Sequence, residues 1–136
     1  MPQRQNIMIP FQETSEVTFR ATAAVLGRRM LRVSGNRTGG PGLSTDPENV
    51  YRMAYCPAGA KATGVSKSDV AINTLGGCDG TPGRILPVAA GAAIVAGAEV
   101  EVGVDGKVIT LATGKAVGQA MTAASGDNAI AEIKLY

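Results

Sequence analysis

Val100-Glu-Val-Gly-Val-Asp-Gly-Lys-Val-Ile-Thr-Leu111 carries two alternating runs around Asp105-Gly106, a dipeptide that readily takes the positive φ angles of a two-residue hairpin turn. Closing that turn between Val104 and Lys107 sets Val102 opposite Ile109 and Val100 opposite Leu111. These four apolar side chains then share one face, and Glu101 meets Thr110 on the other. A hairpin with one apolar face needs further β structure or a neighbouring chain to cover it. The stretch therefore predicts an all-β protein.

Working outward, other segments carry the same signature. Val17-Thr-Phe-Arg-Ala-Thr-Ala-Ala-Val25 alternates, with Val17, Phe19, Ala21, Ala23 and Val25 on one face, as a half-buried strand does. Gly27 ends it, and Met30-Leu-Arg-Val33 starts a second strand. Apolar runs predict further strands over 50–55, 64–66, 69–73, 85–88, 115–121 and 129–135. In the last of these Ala131, Ile133 and Leu135 share a face opposite Glu132 and Lys134. Residues 34–48 and Gly76-Gly-Cys-Asp-Gly-Thr-Pro-Gly83 are dense in turn formers and read as connectors. Residues 89–98 are the best helix candidate, but Gly91 and Gly97 each weaken it by about 1 kcal/mol.

The expected fold is a small compact β-barrel or β-sandwich-like domain over 17–136, with loop 34–48, preceded by an extended N-terminal arm over 1–16. In that arm Ile7, Met8, Ile9, Pro10 and Phe11 form an apolar knot among polar residues, and Pro10 favours an extended or edge conformation. There is also a faint internal echo. Ala23-Ala-Val-Leu-Gly-Arg-Arg-Met-Leu-Arg-Val33 resembles Ala92-Ala-Ile-Val-Ala-Gly-Ala-Glu-Val-Glu-Val102, with one residue of slippage. Ala60-Lys-Ala-Thr-Gly-Val65 likewise resembles Gly114-Lys-Ala-Val-Gly-Gln119. A duplicated β unit and chance similarity in Ala/Gly/Val-rich sequence both remain open.

Composition bounds the chemistry. A chain of 136 residues without Trp and with 4 % aromatics builds its core from small side chains, and burial between subunits would compensate for the modest area. The net charge of +2 does not suggest a nucleic-acid partner. No signal peptide is apparent, and the longest apolar stretch, 85–98, is Gly-interrupted and too short to span a bilayer. The chain reads as soluble, made in a cytoplasm, and without a membrane partner.

Histidine is absent, which removes the commonest general base and any Ser-His-Asp or Cys-His arrangement. Cys56 and Cys78 lack CxxC spacing and read as two thiols rather than zinc ligands, with a disulfide left open. Gly39-Gly-Pro-Gly42 lacks the Lys-Ser/Thr of a phosphate loop. Asp69, Asp79 and Asp105 each sit beside turn residues, where short carboxylates stabilise backbone. The triplet Asn36-Arg-Thr38 is read as part of a loop. No enzyme, cofactor or metal is expected. The one dense charge is Arg28, Arg29 and Arg32, either a solvated strand end or a contact for an acidic patch on a partner.

These stretches, taken in order, resemble the small head-decoration (capsid cement) proteins of tailed double-stranded DNA bacteriophages. The resemblance runs through 17–25, Gly27-Arg-Arg-Met-Leu-Arg-Val-Ser-Gly35, Ala60-Lys-Ala-Thr-Gly-Val-Ser66, Pro87-Val-Ala-Ala-Gly91, the strand over 97–104, Gly114-Lys-Ala-Val-Gly118 and Gly126-Asp-Asn-Ala-Ile-Ala-Glu-Ile-Lys-Leu135. It implies a homotrimer on the outer surface of the expanded capsid, bound to the major capsid protein and stabilising contacts between its subunits. Synthesis in the bacterial host cytoplasm follows from that reading. The capsid-binding candidates are Ile7, Met8, Ile9, Pro10, Phe11, Arg28, Arg29 and Arg32. The alternative is a tail- or fibre-associated virion module. Less favoured is a carrier domain, with Lys107 at the hairpin tip, or an enzyme.

Overall fold

The computed structural model describes residues 16–36 and 50–136. The strands are β1 (Glu16–Ala21), β2 (Met30–Gly35), β3 (Tyr51–Tyr55), β4 (Gly64–Ser66), β5 (Leu75–Asp79), β6 (Ile85–Ala89), β7 (Glu99–Val102), β8 (Val108–Thr110), β9 (Gly118–Ala120) and β10 (Ile130–Leu135). The first five close into a barrel in the order β1-β3-β2-β4-β5, and the second five form a sheet in the order β6-β10-β9-β7-β8.

The two units are one topology written twice. In each, the first strand pairs antiparallel with the fifth, the second with the third and fourth, and the fourth with the fifth. The isolated bridge Val25↔Val70 recurs as Ile94↔Ala124. Individual hydrogen bonds recur as well. Thr22 N–H donates to Met53 O as Gly91 N–H does to Val108 O; Cys56 N–H donates to Met30 O as Leu111 N–H does to Glu99 O. Both echoed sequence pairs fall on equivalent positions of this repeat. The duplication left open by the sequence is thus present in the fold.

The cores match position by position. Phe19, Ala21, Val25, Leu31, Met53, Val70 and Cys78 form one buried cluster; Val88, Ala90, Ile94, Val100, Val108, Ala124 and Ile133 occupy the equivalent places in the other. Volume is exchanged within cross-strand pairs. Phe19 lies opposite Gly76, whereas the equivalent pair is Val88 and Ala131. Total volume stays near constant while the residues change, as close packing requires.

The second unit is joined less completely. β1 and β3 share a parallel ladder through Phe19↔Tyr51, Arg20↔Arg52 and Ala21↔Met53, but its counterpart is the single bridge Ala90↔Val108. The outward N–H of Ala89 on that open edge instead donates to Arg28 O of the first unit, at 2.9 Å. Met30, Cys56 and Val65 of the barrel pack into the second unit's core, so the two units share one apolar cluster.

Several expectations are corrected. The Asp105-Gly106 turn forms, with φ of 56° and 71° and Lys107 N–H bonded to Val104 O. However, Gly103 N–H also bonds to Lys107 O, so Gly103 and Val104 together oppose Lys107 as a bulge. The extra residue shifts the register by one: Val102 faces Val108, Glu101 faces Ile109 and Val100 faces Thr110. Val104 is left 73 % exposed. The first strand stops at Ala21, leaving Ala23 exposed. Within 69–73 only Val70 makes a bridge. Residues 89–98 form no helix, consistent with the two glycines.

The larger correction concerns 76–83. Leu75–Asp79 is a strand, because its glycines supply room rather than a turn. A Cβ on Gly76 would collide with Val70 Cγ2 and come within 3.2 Å of the Phe19 ring. Gly76→Ala is expected to destabilise the fold by about 1–3 kcal/mol through overpacking. Gly126→Ala, where an added Cβ meets nothing within 4 Å, should change stability by less than about 0.5 kcal/mol. Denaturant unfolding of the two variants checks both values.

Candidate functional site

The arginines named from sequence do not act as one cluster. Arg29 is buried: its Nη1 donates to Asp105 O at 3.0 Å, and its guanidinium lies 5.8 Å from the Tyr55 ring centroid. Tyr55 Oη in turn accepts from Leu26 N–H at 2.9 Å. Arg29 thus latches the hairpin tip of the second unit onto the first. At that tip an added Cβ on Gly106 would sit 2.6 Å from Met30 O, so glycine is required both by φ and by space. Arg32 is exposed on β2, and Arg28 is exposed at the junction of the units. Ile7, Met8, Ile9, Pro10 and Phe11 lie outside the described residues, as do 37–49.

A second latch is polar and was not found from sequence. Glu101 is only 5 % exposed; its Oε2 accepts from Ala112 N–H at 2.6 Å and Gly114 N–H at 2.9 Å. These backbone donors hold its carboxyl below the ordinary value of 4.5. The loop so fixed meets the barrel: Lys115 N–H donates to Gly59 O, and Gly59 N–H donates to Val102 O. Alternation puts Glu101 on the polar face of its strand, and nothing in the sequence marks that the 112–114 loop folds its amides over it.

The other titratable groups serve local structure. Asp69 Oδ1 accepts from Gly27 N–H at 2.7 Å. Asp79 accepts from Thr81 N–H at 3.0 Å and pairs with Arg84 at 2.6 Å. Burial opposes ionisation of Asp79, but the Thr81 amide and the Arg84 guanidinium outweigh it and keep its carboxyl below the usual range. Both thiols are free and buried. Burial, with the Asp79 charge adding to it, pushes Cys78 up to about 12, so it is unreactive at neutral pH. Lys107 is ion-paired to Asp127 at 2.8 Å with its side chain 16 % exposed, which is not how a carrier domain presents a lysine for modification. Among the described residues no group of His, Cys, Asp and Glu could hold a metal ion, and no helix is long and apolar enough to cross a membrane.

Two open grooves flank the junction. One, of about 220 Å³, is lined by Arg28, Val65, Ser66, Lys67, Leu86 and Pro87. The other, of about 510 Å³, includes Val102, Val104, Ile109 and the Lys107–Asp127 pair. In the first, the Ser66 hydroxyl donates to Leu26 O at 2.6 Å and Lys67 is paired with Glu16.

No protein-family model matches the sequence, and no curated protein matches it. Among solved structures the chain is similar to the head fiber gp8.5 N base of bacteriophage phi29. The TM-score is 0.72 at 18 % identity, over 90 % of this chain and 94 % of that one. The fold is shared along almost the whole of both chains.

Three carboxyls lie low, those of Glu101, Asp79 and the exposed Asp127 held by Lys107, and the two buried ones, Glu101 and Asp79, set most of the expected pH response. Their stabilisation is complete above their ordinary values, 4.5 for Glu101 and 3.8 for Asp79, and is lost as the pH falls toward the lower folded-state values. Thermal midpoints should therefore fall steeply below about pH 4.5, and Glu101→Gln should flatten that slope while lowering the midpoint at pH 7. A pH series of melting curves for both proteins measures this.

Proposed function

We propose that this chain is a structural protein of a phage virion, carried on the outside of the head. The observation that carries the reading is the fold it shares with the base of a phage head fiber. The resemblance of 17–135 to capsid cement proteins points to the same location. The interior chemistry agrees: among the described residues, polar side chains lock the barrel to the second unit. In the first reading the chain assembles as a homotrimer and binds the major capsid protein, bracing adjacent subunits of the expanded shell. Ile7, Met8, Ile9, Pro10 and Phe11 then add an extended segment along a capsid subunit, and Arg28 and Arg32 face its acidic surface. A second reading, a base that seats a fiber on the head, is favoured by the likeness to the phi29 head fiber base.

Purified protein mixed with expanded, decoration-free capsids should bind at regular outer positions seen by electron microscopy. Light scattering should give about three times the 13.8 kDa chain mass. A particle that stays monomeric both free and bound removes the trimer. Added density confined to the two-unit body supports bracing, whereas a further projection rising from it supports the fiber base. Failure to bind any capsid form removes both readings.

A further inference from the structure

Four non-glycine residues of the described chain have positive φ: Arg28, Asn73, Asp105 and Asn128. Asn and Asp tolerate this region because their short polar side chains bond locally. Arg28, at φ 62°, has no such excuse. Its backbone does need the conformation, since its N–H donates to Ser66 O at 2.8 Å while its carbonyl accepts from Ala89 N–H. Yet nothing in that geometry needs the side chain. At the equivalent position of the second unit stands Gly97, at φ 90°. Arginine is retained where glycine is the relaxed choice, at a strain of roughly 1 kcal/mol.

The Arg28 side chain is exposed and makes no hydrogen bond or ion pair with another described residue. It stands at the rim of the smaller groove, whose apolar lining is Val65, Leu86 and Pro87. Lys67, the other cation there, is held by Glu16 at 2.6 Å, and nearby Asp69 is committed to Gly27 N–H. Among the described residues the unsatisfied charge at the groove is therefore positive and belongs to Arg28. The groove also runs beside the open edge of β6, where Pro87 removes the outward donor that a full added strand would use. Recognition there falls to side chains.

We propose that this groove is a docking site for an acidic, apolar segment of a protein partner, with a carboxylate paired to Arg28 and a neighbouring aliphatic side chain against Leu86 and Pro87. For the partner's identity the proposal rests on the head-surface reading above: it is a segment of the capsid shell. The decisive variant is Arg28→Gly, which installs the residue of the other unit. The thermal midpoint should stay the same or rise, because strain is relieved, while affinity for expanded capsids should fall about tenfold, as for a charge pair at the edge of an interface. Arg28→Lys should retain part of the affinity. Independently, a short capped peptide alternating leucine with aspartate and glutamate should shift the amide resonances of Ser66, Lys67 and Leu86. Its counterpart with asparagine and glutamine should not, and neither peptide should act on Arg28→Gly.

Full capsid affinity in a folded Arg28→Gly protein overturns the proposal, as does a peptide response that ignores charge. Concentration-dependent self-association that vanishes in Arg28→Gly also overturns it, by making a second copy the occupant. If wild-type protein binds no capsid, the head-surface reading falls, and the peptide titration still decides the groove.

Discussion

The fold depends on one burial: Met30, Cys56 and Val65 of the barrel pack into the second unit's core. Each five-stranded unit alone is small, with a cluster of seven buried side chains in the barrel, and a domain of about 60 residues buries only about 60 % of its unfolded surface. Sharing a cluster lets two marginal units become one body. The two units differ at the positions that make this burial. The positions equivalent to Met30, Cys56 and Val65 are Glu99, Leu111 and Gln119. The second unit thus shows a partly polar face where the first shows an apolar one, and Glu99 accepts from the Tyr136 hydroxyl at 2.7 Å. One copy diverged to be covered, the other to meet water.

Apolar burial supplies the larger energy, but it does not fix an angle between the two units. The directional contacts do. Arg29 holds Asp105 O, Ala89 N–H reaches Arg28 O, and Gly59 bonds to both Val102 and Lys115. Glu101 stiffens the loop that receives Gly59. Its equivalent in the first unit is Arg32, exposed on β2. The same strand position is therefore a buried anchor in one copy and a solvent-facing cation in the other. Duplication supplied two scaffolds, and the contact chemistry was then divided between them.

This division explains which parts were legible in the sequence. Alternation reports burial directly, so β10 was read correctly down to the face carrying Ala131, Ile133 and Leu135. The 64–66 strand and the Asp105-Gly106 turn were equally plain. The register of the hairpin was not, because a bulge at Gly103 costs one residue and leaves no compositional mark. Gly76 reads as a turn residue because glycine looks the same whether it provides φ or space; only Val70 and Phe19, against which its missing side chain would press, tell which. The repeat was faint for a related reason. Packing conserves the volume of a pair such as Phe19 with Gly76, not its letters, so the copies drifted apart while the core stayed full. The arginine triplet looked like one charged site, yet strand geometry sends Arg29 inward and leaves Arg28 and Arg32 outside.

The connection between the units constrains what the pair can do. Residues 80–84 run directly from β5 to β6, and they are tied at both ends. Asp79 binds Thr81 and Arg84, while Gly83 N–H donates to Leu135 O and Leu135 N–H donates to Arg84 O. The link is thereby part of the second unit's own sheet edge. A force applied to either unit passes through these bonds and the shared core rather than through a slack tether. A linker free to flex would let each unit move before the other felt the load. Two units strapped in this way instead hold their outer surfaces at a fixed separation, which is the rigidity that the proposed bracing of shell subunits, or seating of a fiber, would need.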